Sequence, residues 1–145
     1  MADWVIDASA AFLLLLPNSR AASLEQRLFL QLGDLDVLLA PSIIVTEVAA
    51  AITKSVRQGK ITGTAAKEAF ANWRDLIGAE MILLTAANTL VDDAFALSLR
   101  LHHPLHDCLY AALALQRNAA IITCDDSFAR KAVSLGLQAE LIGAE

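Results

Sequence analysis

Positive charge is in short supply. Eleven Lys and Arg stand against sixteen Asp and Glu, a formal net charge of -5. Such a chain has no general attraction for nucleic acid, so a polyanionic substrate needs local compensation. Aromatic residues number only eight (five Phe, two Trp, one Tyr), which leaves no evident platform for stacking bases. Recognition of a nucleic acid would then rest on its shape and a few loops. Cys108 and Cys124 make neither a disulfide framework nor a zinc pattern and read as small core fillers. His102, His103 and His106 share a break in the chain without zinc spacing. They read as polar loop residues, one of them able to touch a phosphate. Internal repeats, low-complexity tracts and linkers are missing.

A basic flank is missing too. The apolar run Phe12-Leu13-Leu14-Leu15-Leu16 is preceded by Asp3 and Asp7 and by no Lys or Arg, unlike a secretory leader. It is also far shorter than the ~20 residues that span a bilayer. The expectation is a soluble, cytoplasmic protein.

Apolar side chains are plentiful, at 57% of 145 residues. That length suits one domain, residues 1–145, with a sizeable core. Parallel sheets buried on both faces consume much apolar surface, and oligomer interfaces consume more.

Asp3-Trp4-Val5-Ile6-Asp7-Ala8-Ser9 is the stretch that organises the rest. Trp4, Val5 and Ile6 are strand formers in a run too short and evenly apolar for a one-faced helix. They predict a buried central strand of a parallel sheet. Ala10 to Leu16 then reads as a short helix stopped by Pro17-Asn18. Arg20 to Leu32 carries Leu24, Leu28 and Leu32 at helical spacing and ends at Gly33-Asp34. Val37 to Ala40 predicts a second strand. Pro41-Ser42 opens a helix to about Gln58, closed by Gly59.

Thr62 or Thr64 starts a helix ending at Gly78, with Phe70 and Trp73 on its apolar face. Met81 to Leu84 predicts a third strand, and Thr85 a cap for a helix from Ala86 to Leu101 containing Leu90, Phe95, Leu97 and Leu99. His102-His103-Pro104 breaks it. Asp107 to Arg117 is strongly apolar and helical, Ala119 to Thr123 a fourth strand. Asp125 or Asp126 caps a helix through Leu135, stopped by Gly136. Leu137 to Ile142 predicts an edge strand. Strands alternating with helices give an α/β fold, a parallel sheet of four to five strands flanked by helices.

Four acids fall at equivalent places in that pattern. Asp7 and Asp125 follow strands; Glu47 and Asp107 come early in helices that follow a strand or a break. Asp7, Asp107 and Asp125 each have a bland reading as a cap or first-turn acid. Glu47 is placed past the first turn among Ile43, Ile44, Val48 and Ala51, with no cation nearer than Lys54. A carboxylate on such a face is costly unless something positive meets it.

In a parallel sheet these places face one end, where sites form. Carboxylates gathered there raise one another's pKa unless a cation compensates. With oxygen ligands only, Mg²⁺ or Mn²⁺ suits them. Acids, an ion and retained waters suit phosphodiester hydrolysis.

The elements Val5 to Ser9, Pro41-Ser42 through Glu47, Asp107 to Ala114 and Thr123 to Phe128 together resemble the PIN domain, more specifically the VapC-type toxins of bacterial toxin–antitoxin pairs. The likeness runs over nearly the whole chain. It implies a three-layer α/β/α PIN-like fold and a Mg²⁺- or Mn²⁺-dependent endoribonuclease. It also implies the toxin of a type II pair, a homodimer held inactive by a VapB-like antitoxin. Carried over, Asp7, Glu47, Asp107 and Asp125 are the metal-binding, catalytic acids. Ser9 and Thr123 are supporting polar positions, and Asp126 shares or replaces the role of Asp125. Basic candidates for phosphate contact are Lys54, Arg57, Lys60, Arg100, Arg117, Arg130 and Lys131; most read as solvated helix ends.

The rival of another class is a catalytically inactive PIN-like module that only associates with protein, although a scaffold gains nothing from clustered acids. A phosphoaspartate receiver or phosphatase is excluded. The first wants an acidic pair after its first strand, the second another Asp two residues on, and here Ala8-Ser9 follows Asp7.

Overall fold

Trp4, Val5 and Ile6 take the middle of the sheet, as their unbroken apolarity requires. The computed structural model describes residues 2–15 and 36–142. Its five strands are β1 (Asp3–Ile6), β2 (Val37–Pro41), β3 (Leu83–Thr85), β4 (Ala120–Thr123) and β5 (Ala139–Leu141). They stand in the order β3-β2-β1-β4-β5, and every neighbouring pair is parallel. Val5 lies abreast of Leu39 on one side and Ile121 on the other. All three are essentially enclosed.

The helices are α1 (Ala8–Leu15), α2 (Ile44–Arg57), α3 (Gly63–Gly78), α4 (Val91–Leu101), α5 (Leu105–Arg117) and α6 (Asp126–Ser134). α1 packs on α2 and α3, and α4 packs on α5. With right-handed crossovers, the first group covers one face of the sheet and the second the other. Trp73 fastens α3 to α2: its ring is fully buried, and Nε1 donates to the carbonyl of Val45 at 3.3 Å. No helix among the described residues is long and apolar enough to cross a membrane.

Several boundaries differ from expectation, each for a visible reason. α1 begins at Ala8 rather than Ala10, because Asp7 caps it with its own carboxylate. α2 begins at Ile44 rather than at Pro41-Ser42. Pro41 is still paired with Thr85 in the sheet. The hydroxyl of Ser42 accepts from the backbone of Ala87 at 2.9 Å, so it is not free to cap α2.

β3 starts at Leu83 rather than Met81, since Met81 still bonds back to the carbonyl of Leu76 as the chain leaves α3. Thr85 is a strand residue and caps nothing; a 3-10 turn, Ala87–Thr89, replaces the first turn of the expected helix. Phe70 is exposed while Trp73 and Ala69 enter the core from that helix, and Phe95 and Leu99 are exposed while Leu90 and Leu97 are buried. α5 begins at Leu105, two residues before Asp107. The expected helix from Arg20 to Leu32 lies outside the described residues.

Candidate active site

β1 and β4 run side by side, with Ile6 abreast of Ile122. One step further puts Asp7 beside Thr123, and the backbone N–H of Asp7 still donates to the carbonyl of Ile122 at 3.0 Å. Both side chains are buried at the carboxyl rim of the sheet, Asp7 6% and Thr123 0% exposed. Three donors meet the Asp7 carboxylate. Ser9 Oγ and the backbone N–H of Ala10 reach Oδ1 at 2.6 and 3.0 Å, and Thr123 Oγ1 donates to Oδ2.

Ser9 and Thr123 are held in turn: Cys124 N–H donates to Ser9 Oγ, and Asp125 N–H to Thr123 Oγ1, each at 3.0 Å. Asp7 therefore caps α1 and also stands at the rim; the two readings of it are compatible. Burial pushes its carboxyl up to about 6 from the ordinary 3.8. The hydrogen bonds from Ser9, Thr123 and Ala10 work against that rise, and the charge of Asp107 adds to it. The cost of an ionised group out of water wins over three donors.

Glu47 enters from the neighbouring strand's helix. Because α2 starts late, Glu47 lies in its first turn, where the dipole favours an acid. Among the described residues no cation pairs with it. Its partner is Tyr110, whose hydroxyl donates to Oε1 at 2.6 Å. Tyr110 is itself buried and lies one turn along α5 from Asp107. Burial holds its phenol far above the usual range, followed by the hydrogen bond and charge of Glu47 and then the charges of Asp7 and Asp107. One hydroxyl thus bonds to Glu47 and feels the charges of Asp7 and Asp107 as well.

Asp107 sits in the first turn of α5. Its Oδ2 is 2.8 Å from Nε2 of His103, a side chain only 9% exposed. An ionised carboxylate only accepts, so Nε2 carries the hydrogen. The His103 ring stacks on Phe128 of α6 at 5.7 Å, and its carbonyl accepts from Ser98 Oγ at 2.6 Å. Ala111 and Ala114 are fully buried beneath the site, which lets α5 lie close to the sheet. Cys108, beside Asp107, is buried; burial and that charge push its thiol up, so it stays a neutral core group.

Asp125 stands apart from the other three. It caps α6, accepting from the Phe128 N–H at 3.2 Å, and is exposed. Its tie to the group runs through its own backbone N–H and Thr123. Asp126 is an exposed partner of Arg130. Of the pair left open, Asp125 takes the cap.

Among the described residues no three His, Cys, Asp or Glu side chains form a ready-made cage for an ion. The donors at the rim are nevertheless all oxygens. Mg²⁺ keeps several waters and takes one or two carboxylates rather than a full protein cage. The donor chemistry of Asp7, Glu47 and Asp107 fits such an ion.

Tyr110 was not picked out from the sequence, and His103, expected to be a polar loop residue, is instead nearly enclosed and bonded to Asp107. The signal was present: the chain's single Tyr lies in an apolar helix, and a buried phenol needs a partner. Of the basic candidates, Arg117 pairs with Asp3 at the start of β1, the far end of the sheet, and Lys131 donates to the carbonyl of Leu101.

Comparison with known proteins gives a consistent picture. The PIN domain family matches residues 4–134. No curated protein matches the sequence. Among solved structures, PAE2754 from Pyrobaculum aerophilum is similar at 16% identity and a TM-score of 0.65, over 90% of this chain and 84% of that one. VapBC2 from Rickettsia felis, bound to a DNA fragment from its promoter, gives 16% identity and a TM-score of 0.67, over 96% and 98%. FitAcB from Neisseria gonorrhoeae gives 15% identity and 0.54, over 94% and 95%. At such identities the likeness is one of fold.

Proposed function

The chain belongs to the PIN domain family, and on that premise we propose that it is a divalent-metal-dependent endoribonuclease. We read it as the cytoplasmic toxin of a type II toxin–antitoxin pair. The observation that supports the reading is that the buried Tyr110 hydroxyl holds Glu47 and also feels the charges of Asp7 and Asp107. The similar folds of VapBC2 and FitAcB support a VapB-like antitoxin as partner. The apolar excess supports a homodimer.

Asp7, Glu47 and Asp107 would hold Mg²⁺ or Mn²⁺, with Asp125 at the edge of the same rim. When bound, the ion supplies Lewis acidity toward water and phosphate oxygens and offsets the negative field that an approaching RNA meets. The chain's own work is to keep the acids in place. Ser9, Thr123 and the Ala10 N–H stabilise the charged form of Asp7 against its burial. Tyr110 holds Glu47, and His103 holds Asp107.

The test is incubation of the pure protein with labelled tRNA, rRNA and mRNA, with and without Mn²⁺, and mapping of the ends. Cleavage only with the ion, lost in Asp7→Asn and in Asp107→Asn while both variants stay folded, supports the reading. Undiminished cleavage by both variants ends it. That no three acids among the described residues form a preformed cage favours the inactive association module instead; that reading gains if Mn²⁺ does not bind.

A further inference from the structure

His103, Asp107 and Tyr110 follow one another at intervals of four and three residues, which is the spacing of one helical face. Asp107 is the middle member. Its neighbours on either side each hold one oxygen of a carboxylate: His103 takes Oδ2 of Asp107 at 2.8 Å, and Tyr110 takes Oε1 of Glu47 at 2.6 Å. Among the described residues, no hydrogen bond reaches the second oxygen of either acid. An anchored carboxylate with one oxygen unclaimed is a ligand set in advance. Its rotamer is fixed without an ion, so less ordering remains to be done when one binds.

The holders are themselves fixed. Tyr110 is 1% exposed in the core. His103 is stacked on Phe128, and its carbonyl takes the hydrogen bond from Ser98. Neither needs a charge of its own for this. A neutral phenol and a ring N–H are sufficient donors, and donors to an anion form short, directional bonds.

From this geometry we infer that His103 and Tyr110 are positioning residues that set the site's affinity for a divalent ion: each presents a carboxylate to it by one oxygen. The inference rests on the metal-dependent reading of Asp7, Glu47 and Asp107. It makes α5 the element on which the site is assembled. Asp107 and both holders belong to α5 or the turn that leads into it, and Glu47 of α2 is tied to it through Tyr110.

Partners of metal-binding carboxylates typically change metal affinity by about 10–100-fold when removed. The experiment titrates Mn²⁺ into the whole chain and into Asp7→Asn, Tyr110→Phe, His103→Leu and His103→Gln, with thermal unfolding in EDTA measured alongside. The expected result is binding by the native chain, loss in Asp7→Asn, and an affinity about tenfold or more weaker in Tyr110→Phe and His103→Leu. His103→Gln places an amide N–H where Nε2–H stood and recovers most of the loss.

Native-like affinity in both Tyr110→Phe and His103→Leu, with Asp7→Asn unable to bind, overturns the inference and leaves the metal reading intact. A loss that only follows the melting temperature, with no recovery in His103→Gln, also overturns it. Native-like binding by Asp7→Asn removes the reading beneath it.

Discussion

Thr123 Oγ1 donates to Oδ2 of Asp7 across the seam between β4 and β1. The bond joins residues 116 positions apart. It is possible because parallel pairing of Ile6 with Ile122 brings the next residue of each strand to the same level. The hydroxyl also accepts from the Asp125 N–H, so it couples Asp7 to the turn that bears Asp125.

Replacing Thr123 with Val keeps the shape and deletes that donor. A hydrogen bond to a charged group contributes about 1.5–3 kcal/mol, and here it favours the ionised form of Asp7. The Asp7 carboxyl should therefore rise above about 6. Mn²⁺ titrations over a pH series should show binding failing at a higher pH than in the native chain, by about one unit.

Asp7→Asn should lose function and gain stability. In the metal-free fold the Asp7 carboxyl titrates near 6, against 3.8 for the unfolded chain. The folded state therefore binds the proton more tightly. Stability is fully present below pH 3.8 and declines as pH rises through about 6, by about 3 kcal/mol at most for a shift of that size. Asn carries no such penalty. Urea unfolding in EDTA should show Asp7→Asn more stable than the native chain at pH 7.5, with the advantage gone at pH 4.

Asp125 and Asp126 should separate cleanly. Asp125 caps α6 through the Phe128 N–H, and loss of such a cap costs about 1 kcal/mol. Asp126 only faces Arg130 in solvent. Asp125→Ala should lower both the melting temperature and RNA cleavage. Asp126→Ala should change neither, since exposed ion pairs contribute little.

The layered plan was legible because it follows from period and punctuation. Val5 and Ile6 sit between two strands, as their apolarity demands, and Gly59 and Gly136 end helices at positive φ. The places of Asp7 and Asp125 after strands, and of Glu47 and Asp107 in first turns of helices, follow the same punctuation. Less legible was which apolar residues of a helix face inward: Phe95 and Leu99 look outward, and only packing decides that. The start of α2 was hidden by tertiary demands on Pro41 and Ser42. The partner of Glu47 was hidden for the same reason. Tyr110 lies 63 residues away, and no local pattern announces a contact at that range.

A crystal of the native protein grown with Mn²⁺ tests the central claim most directly, because the ion's anomalous scattering locates it without assumption. The account predicts a peak at the carboxyl rim bonded to oxygens of Asp7 and Asp107, with Glu47 bonded directly or through a water. A peak at another part of the surface, or none at saturating Mn²⁺, would contradict it.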